Sequence, residues 1–326
     1  MSTNIKPNAN FHSLSNTSVH DNMSPKYLEY RRKWIDNPKQ MILEKFPLHL
    51  DIESTNLCNL RCTFCDKQSN IEKDGFGRMD FGLYKNIIDE AKQFGLYSIK
   101  LSYRGEPLLH PKIFDMITYA KESGVIDIYF NTNGMPLSDY TIDRLIDSGI
   151  NRISVSVEGT DPIAFEEARV GASFDKIKEN LVKLLAKRKE RNSEYPKIRI
   201  QTVLLPGIDM EEYKTYWESF GDEVAAIDYK DENQVKPGKV AKDWACPQLW
   251  QRMTIGWDGT IFMCNNDDHN RIKLGNVANQ TIYGNWNGTT MNEIRDKHKN
   301  GLSHCVHACN ECPWRTAQLT KLGGTI

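Results

Sequence analysis

Three cysteines, Cys58, Cys62 and Cys65, stand within eight residues in the order C-x3-C-x2-C. Three thiolates on so short a loop can wrap one small inorganic centre. A four-iron cubane usually takes four cysteine ligands, so three leave one iron open to a non-protein ligand. A structural zinc ion is the alternative, but such sites commonly use four protein ligands in two pairs, and no partner pair lies nearby in sequence. Five more cysteines lie near the other end: Cys246, Cys264, Cys305, Cys309 and Cys312. A chain of 326 residues needs no disulfide staples, and a reducing compartment keeps thiols free, so metal binding is the leading reading of all eight.

Something must hold the first cysteine loop in place. After Pro47 the pattern alternates between strand and helix: strands at 48–54, 98–103, 127–132, 152–157, 197–204 and 224–229, helices at 81–94, 111–123, 138–148, 174–191 and 210–220. About six β/α units argue for parallel sheet with right-handed crossovers, in a barrel or an open doubly wound sheet. In either architecture the C-terminal strand ends carry the chemistry. Cys58, Gly105–Pro107, Asn131–Gly134 and Ser156–Gly159 all fall at or just after expected strand ends, and so can converge on one mouth. Residues 1–46 are expected to form an extension, a tail to about residue 24 and then a short helix with Tyr27, Tyr30 and Trp34 on one face, ending before Pro38. Residues 47–234 form the β/α core. Residues 235–326 form a cysteine-rich module with a hairpin turning at Asp258-Gly259 and a helix near 290–299.

Composition bounds the partners. Hydrophobic residues make up 39%, charged residues 26%, and the formal net charge is -1, which suits an ordinary soluble globular protein and disfavours nucleic acid as a partner. No run nears the ~18–20 apolar residues of a membrane helix, and the first residues lack the apolar core of a signal peptide, so a cytoplasmic location with no membrane partner is expected.

The loop CNLRCTFC resembles the signature of the radical S-adenosylmethionine (SAM) superfamily. That resemblance implies a partial (β/α)6 barrel and a [4Fe-4S] cluster held by Cys58, Cys62 and Cys65, whose open iron is chelated by the amino and carboxylate groups of SAM. One-electron reduction then cleaves SAM to methionine and a 5′-deoxyadenosyl radical. Arg104-Gly105-Glu106-Pro107 resembles the family's GGEP segment, with Arg104 replacing the first glycine. Ser156-Val157-Glu158-Gly159 resembles its S-x-D-G segment, with Glu158 replacing aspartate. The resemblance places Glu106 toward the SAM ammonium, Arg169 toward its carboxylate and Phe64 against the adenine; Asn133 is a weaker contact from an Asn-Gly turn. Taken alone, Glu106 can equally cap a helix and Arg169 can pair with surface carboxylates.

The pattern Cys246-x12-Gly259-x4-Cys264, followed by Cys309-x2-Cys312, resembles SPASM and Twitch extensions of that superfamily. The implied ligands of one auxiliary [4Fe-4S] cluster are Cys246, Cys264, Cys309 and Cys312, leaving Cys305 over as an alternative ligand, a passive thiol or a hydrogen donor. A zinc ribbon remains open for this module by itself. The resemblance implies a hydrogen-abstracting oxidoreductase (dehydrogenase) or epimerase acting on a sugar, sugar nucleotide or aminocyclitol, reduced by a flavodoxin or ferredoxin type donor. A ribosomal peptide maturase is the second enzymatic reading, disfavoured because the 46 residues before Pro47 are too few and too polar for a peptide-recognition domain. A zinc-stabilised binding protein is the non-enzymatic one. His304 and His307 flank Cys305 as substitute ligands, Arg152 begins a strand and either lines the barrel or sits at its rim, and Asp267, Asp268 and His269 read as a solvated turn, with a substrate-facing role as the alternative.

Overall fold

The computed structural model describes residues 10–20, 24–65, 75–230, 235, 238, 240, 244–267 and 269–321. Its strands are β1 (Phe11–Ser13), β2 (His49–Ile52), β3 (Arg61–Cys62), β4 (Ser98–Lys100), β5 (Asp127–Thr132), β6 (Arg152–Ser156) and β7 (Arg169–Val170). They continue with β8 (Lys197–Leu204), β9 (Glu223–Asp228), β10 (Arg252–Ile255), β11 (Thr260–Phe262) and β12 (Lys273–Asn276). Strands β2, β4, β5, β6, β8 and β9 pair in that order, all in parallel, with Leu50 opposite Ile99 and Ile99 opposite Ile128. Helices Phe81–Gln93, Ile113–Glu122, Asp139–Ser148, Phe174–Glu190 and Met210–Trp217 make the crossovers. Side-chain caps explain where several of them begin: Asp80 accepts from the Leu83 amide, Ser138 from Thr141, Ser173 from Lys176 and Asp209 from Glu211 and Glu212.

The two faces of this sheet differ in chemistry. Leu50, Ile52, Ile99, Ile128, Phe130, Ile153, Val155, Ile198 and Ile200 pack on the helices. On the other face His49, Asp51, Ser98, Asp127, Ser154 and Arg199 are buried too, although they are polar. Buried parallel sheets ordinarily show apolar residues on both faces, so strict alternation here marks an interior built for something polar. Buried charges are neutralised in pairs: Arg152 Nη2 stands 3.0 Å from Asp127, Arg199 Nη2 2.9 Å from Glu223 and Lys100 Nζ 2.6 Å from Asp51.

Both edges of the six-strand array are joined by the C-terminal module. Strand β10 adds in parallel to β2, with Ile255 opposite Ile52, and the hairpin to β11 and β12 extends one continuous sheet of ten strands. The turn is made at Gly259, with φ at +84°. At the opposite edge the final helix, Pro313–Lys321, ties Lys321 to Asp228 of β9, and Gln318 Nε2 donates to Asn10 Oδ1 at 2.7 Å. One short module can reach both edges only if the array between them curls, as a partial barrel does.

The structure departs from the sequence reading at the amino end. Residues 11–13, expected as tail, pair antiparallel with β9. The helix expected to stop before Pro38 runs Pro25–Gln40. Proline removes the amide that would bond Trp34 O, and Gln251 Nε2 of the C-terminal module donates to that oxygen at 2.7 Å instead. Pro111 precedes rather than opens its helix, and the short helix Pro162–Ala168 and the β3–β7 pair carry no strong period in the sequence. No helix among the described residues is long and apolar enough to cross a membrane.

A sheet shared by core and module should unfold as one unit. Ile255→Ala, which hollows the β10–β2 seam, is expected to cost about 2–5 kcal/mol while a guanidinium titration followed by fluorescence keeps one transition. Separate transitions for residues before and after 244 would contradict the shared sheet.

Candidate functional site

Cys58, Cys62, Cys65, Arg104, Gly105, Glu106, Asn131, Thr132, Asn133, Ser156 and Arg169 line one cavity of about 140 Å³ at the C-terminal ends of β2, β4, β5 and β6. Glu106 organises it. Its amide donates to Leu57 O at 2.8 Å, tying the segment after β4 to the cysteine loop. Its buried carboxylate accepts from Thr132 Oγ1 at 2.9 Å and from the Asn133 amide at 2.7 Å, and also from Leu108 N at 3.1 Å. Burial pushes the Glu106 carboxyl up to about 7 despite those donors and nearby Arg169.

Gly105 fits because nothing larger can. A Cβ there would lie 2.5 Å from the carbonyl oxygens of Thr55 and Leu57. Arg104, in the place of a glycine, turns its guanidinium onto Glu53 at the end of β2, with Nε–Oε1 2.7 Å and Nη2–Oε2 2.9 Å. Glu53 Oε2 also accepts from the Trp257 amide at 3.2 Å, so this pair links the site to the C-terminal hairpin. Pro107 is buried in the short turn that Glu106 caps and does not line the cavity.

Arg169 is delivered by register: in the two-residue β3–β7 ladder it sits directly opposite Cys62. Its guanidinium is bound in bidentate fashion by Glu158, its Nη1 stands 3.7 Å from Cys62 Sγ, and its centre lies 5.4 Å from the Phe64 ring. Phe64 and Glu158 therefore reach the cavity through Arg169 rather than by lining it. Glu158 instead lines a neighbouring cavity of about 410 Å³ with Gly159, the Leu205–Asp209 loop and Tyr213. Tyr213 Oη and Trp217 Nε1 fix that wall by donating to Val157 O and Gly159 O, each at 2.9 Å. Asn133 Nδ2 donates to Asn59 Oδ1 at 2.8 Å and reaches to 4.0 Å from Cys58 Sγ.

A second set assembles from the C-terminal module. Cys246, Cys264, Cys309 and Cys312 line a small cavity of about 20 Å³ with Trp244, Leu249, Met263, His298, Ala308 and Trp314. Cys305 is exposed and lines neither cavity. His307, also exposed, lies 4.0 Å from Glu311, and neither it nor His304 faces the four sulfurs. Asp267 is buried and accepts from Ile272 N at 2.9 Å, while Asp268 lies outside the described residues. Arg152 faces the interior, in a bidentate pair with Asp127.

Both sulfur sets have the chemistry of an iron-sulfur donor set. Burial raises the thiols of Cys58 and Cys62, the latter to about 11, and raises Cys264 to about 12 and Cys246 and Cys309 well above the ordinary thiol range. Mutual repulsion among the sulfurs adds to burial, so several thiolates coexist there only with a cationic centre among them. Among the described residues no three His, Cys, Asp or Glu side chains converge as a single metal ion requires. Three cysteines line the first cavity and four line the second, the donor counts of a four-iron cluster with one position left open and of one fully held by cysteine.

The sequence pattern of the radical SAM superfamily matches residues 52–216, and that of an iron-sulfur cluster-binding domain, SPASM, matches residues 246–313. A probable GTP 3′,8-cyclase of Methanococcus maripaludis is 32% identical over 131 residues, 40% of this chain and 43% of that protein. The chain thus spans less than half the length of that relative. Among solved structures, BtrN in complex with AdoMet and 2-DOIA superposes with a TM-score of 0.54 at 18% identity, covering 83% of this chain and 94% of the other. SuiB of Streptococcus suis, bound to its precursor peptide SuiA, gives 0.55 at 16% identity, covering 89% and 78%. Likeness at such identities speaks for the fold alone.

A carboxyl raised by burial binds its proton more tightly folded than unfolded, so its contribution is present below the ordinary range and lost as pH rises toward about 7. Between about pH 4.5 and 7 the wild-type apo chain should therefore gain less stability with rising pH, or lose more, than Glu106→Gln. Urea midpoints across that window test this; equal slopes would show that the carboxyl titrates normally.

Proposed function

The chain belongs to the radical SAM superfamily and carries an iron-sulfur cluster-binding SPASM domain, and from that premise we propose that it is a dehydrogenase that oxidises a hydroxyl-bearing carbon of a sugar, sugar nucleotide or aminocyclitol. Cys58, Cys62 and Cys65 would hold the cluster that binds SAM, with Gly105, Glu106, Asn133, Ser156 and Arg169 around the nucleotide. Cys246, Cys264, Cys309 and Cys312 would hold the auxiliary cluster. With SAM, the first cluster would supply reductive radical chemistry able to abstract hydrogen, and the second, held by those four cysteines, would supply an electron sink.

One contact carries the dehydrogenase reading. Asn265, next in sequence to Cys264, donates from Nδ2 to Asp51 Oδ2 at 3.0 Å, on the polar face of β2. The auxiliary cysteine loop therefore abuts the interior in which a substrate radical would form. Around that contact the lining is polar: burial opposes the charge on Asp51, yet Lys100 and Arg252 hold its carboxyl well below the ordinary range, and Ser154, Asn131 and Gln201 follow toward the mouth. Such a lining favours hydroxyl groups over an apolar substrate. Glu158 lines the second cavity while its carboxylate pairs with Arg169. The exposed Cys305 argues against epimerisation, because a hydrogen donor has to face the radical.

Anaerobic reconstitution followed by dithionite and SAM tests the reading. About eight irons per chain and formation of 5′-deoxyadenosine are expected, and a turned-over substrate should lose two hydrogens. About four irons would remove the electron sink and the dehydrogenase assignment with it; cyclisation of GTP or cross-linking of a peptide would replace the substrate class. Cys305→Ser is expected to leave iron content and product unchanged, and loss of product with full iron would restore the epimerase reading.

A further inference from the structure

His298 is the buried imidazole at the second sulfur set, and its two nitrogens have different partners. It lies in the last turn of the helix Thr289–Lys299 and is 1% exposed. Nδ1 is 3.1 Å from the amide nitrogen of Cys246, and Nε2 is 3.4 Å from Cys309 Sγ. The ring also packs 5.9 Å from Trp244, which holds its plane. A backbone amide can only donate, so Nδ1 must accept and cannot carry the proton. The proton of the neutral ring is therefore on Nε2, aimed at sulfur. One imidazole thus grips the Cys246 backbone and offers an N–H to Cys309.

We propose that His298 is a positioning residue that sets the reduction potential of the auxiliary cluster, by donating an N–H···S hydrogen bond to Cys309 while its other nitrogen fixes the Cys246 loop. The proposal rests on the reading that Cys246, Cys264, Cys309 and Cys312 hold an iron-sulfur cluster. Reduction adds negative charge that is shared by the cysteine sulfurs, so a donor aimed at one of them stabilises the reduced state and raises the potential. The Arg315 amide, 3.4 Å from Cys312 Sγ, makes a similar contact, but a backbone donor is present whatever the side chain. His298 is a side-chain donor to these sulfurs, one that a substitution can change. An electron sink must accept from a substrate radical and then discharge to an external partner, and the number of N–H donors on its sulfurs is the means of balancing the two.

Two variants separate tuning from architecture. His298→Asn keeps an oxygen to accept from the Cys246 amide but is too short to reach Cys309; His298→Gln restores an N–H at that reach. The full chain, reconstituted with both clusters, is titrated potentiometrically with EPR detection, and the SAM-responsive signal identifies the front cluster. Expected are full iron in both variants, an auxiliary midpoint shifted negative in His298→Asn and returned toward wild type in His298→Gln, and a front cluster that does not move. In the wild type, 15N-histidine labelling should give the weak coupling of a hydrogen-bonded nitrogen in pulsed EPR. An unshifted midpoint in His298→Asn, loss of auxiliary iron from either variant, or the strong coupling of a directly bound nitrogen would overturn the proposal. A wild-type chain with about four irons would instead overturn the auxiliary-cluster reading on which it rests.

Discussion

The carboxylate of Glu106 is the knot on which the front site depends. Its backbone is tied to the cysteine loop after β2 and its side chain to the end of β5, while it caps the turn after its own strand. Three strand ends are thereby fixed to one another by groups from separate parts of the chain. A carboxylate at this depth is costly, and its donors offset only part of the burial that raises it to about 7. Gly105 beside it lets two backbones approach more closely than any side chain permits. The placement of the Cys58 loop and of Asn133 follows from this arrangement.

Ion pairs extend the same logic through the interior. Arg152 with Asp127, Arg199 with Glu223, and Lys100 and Arg252 with Asp51 stand on neighbouring strands and face the same side of the sheet, and Arg104 with Glu53 joins the segments just past the ends of β4 and β2. Each satisfies a charge that burial alone would neutralise by shifting protons. Together they give the interior fixed dipoles and hydrogen-bond donors in place of water. Arg252, Asn265 and Trp257 belong to the C-terminal module, so the module completes the wall of the interior as well as carrying its own sulfur set.

Much of this was legible in the sequence because period and spacing are local. The strand-helix alternation located the parallel strands to within a few residues, and Asp258-Gly259 located the hairpin. Cysteine spacing grouped the sulfurs, and the structure gathers Cys246, Cys264, Cys309 and Cys312 around one cavity. What stayed hidden depends on contacts distant in the chain. The continuation of Pro25–Gln40 through Pro38 requires Gln251, more than two hundred residues away. The Glu158–Arg169 pair and the opposition of Cys62 to Arg169 come from a two-residue ladder too short to leave a pattern. His298 was missed because a lone histidine on a helix carries no spacing signal, whereas His304 and His307 drew attention only by standing beside Cys305.

The central claim is that three sulfurs after the first barrel strand hold a cluster with one corner left for SAM. EPR of the anaerobic, fully loaded and reduced chain, recorded before and after addition of SAM, tests it directly. The account predicts altered g-values for one cluster and an unaltered signal from the other. Identical spectra with and without SAM, in material with its full iron complement, would contradict it.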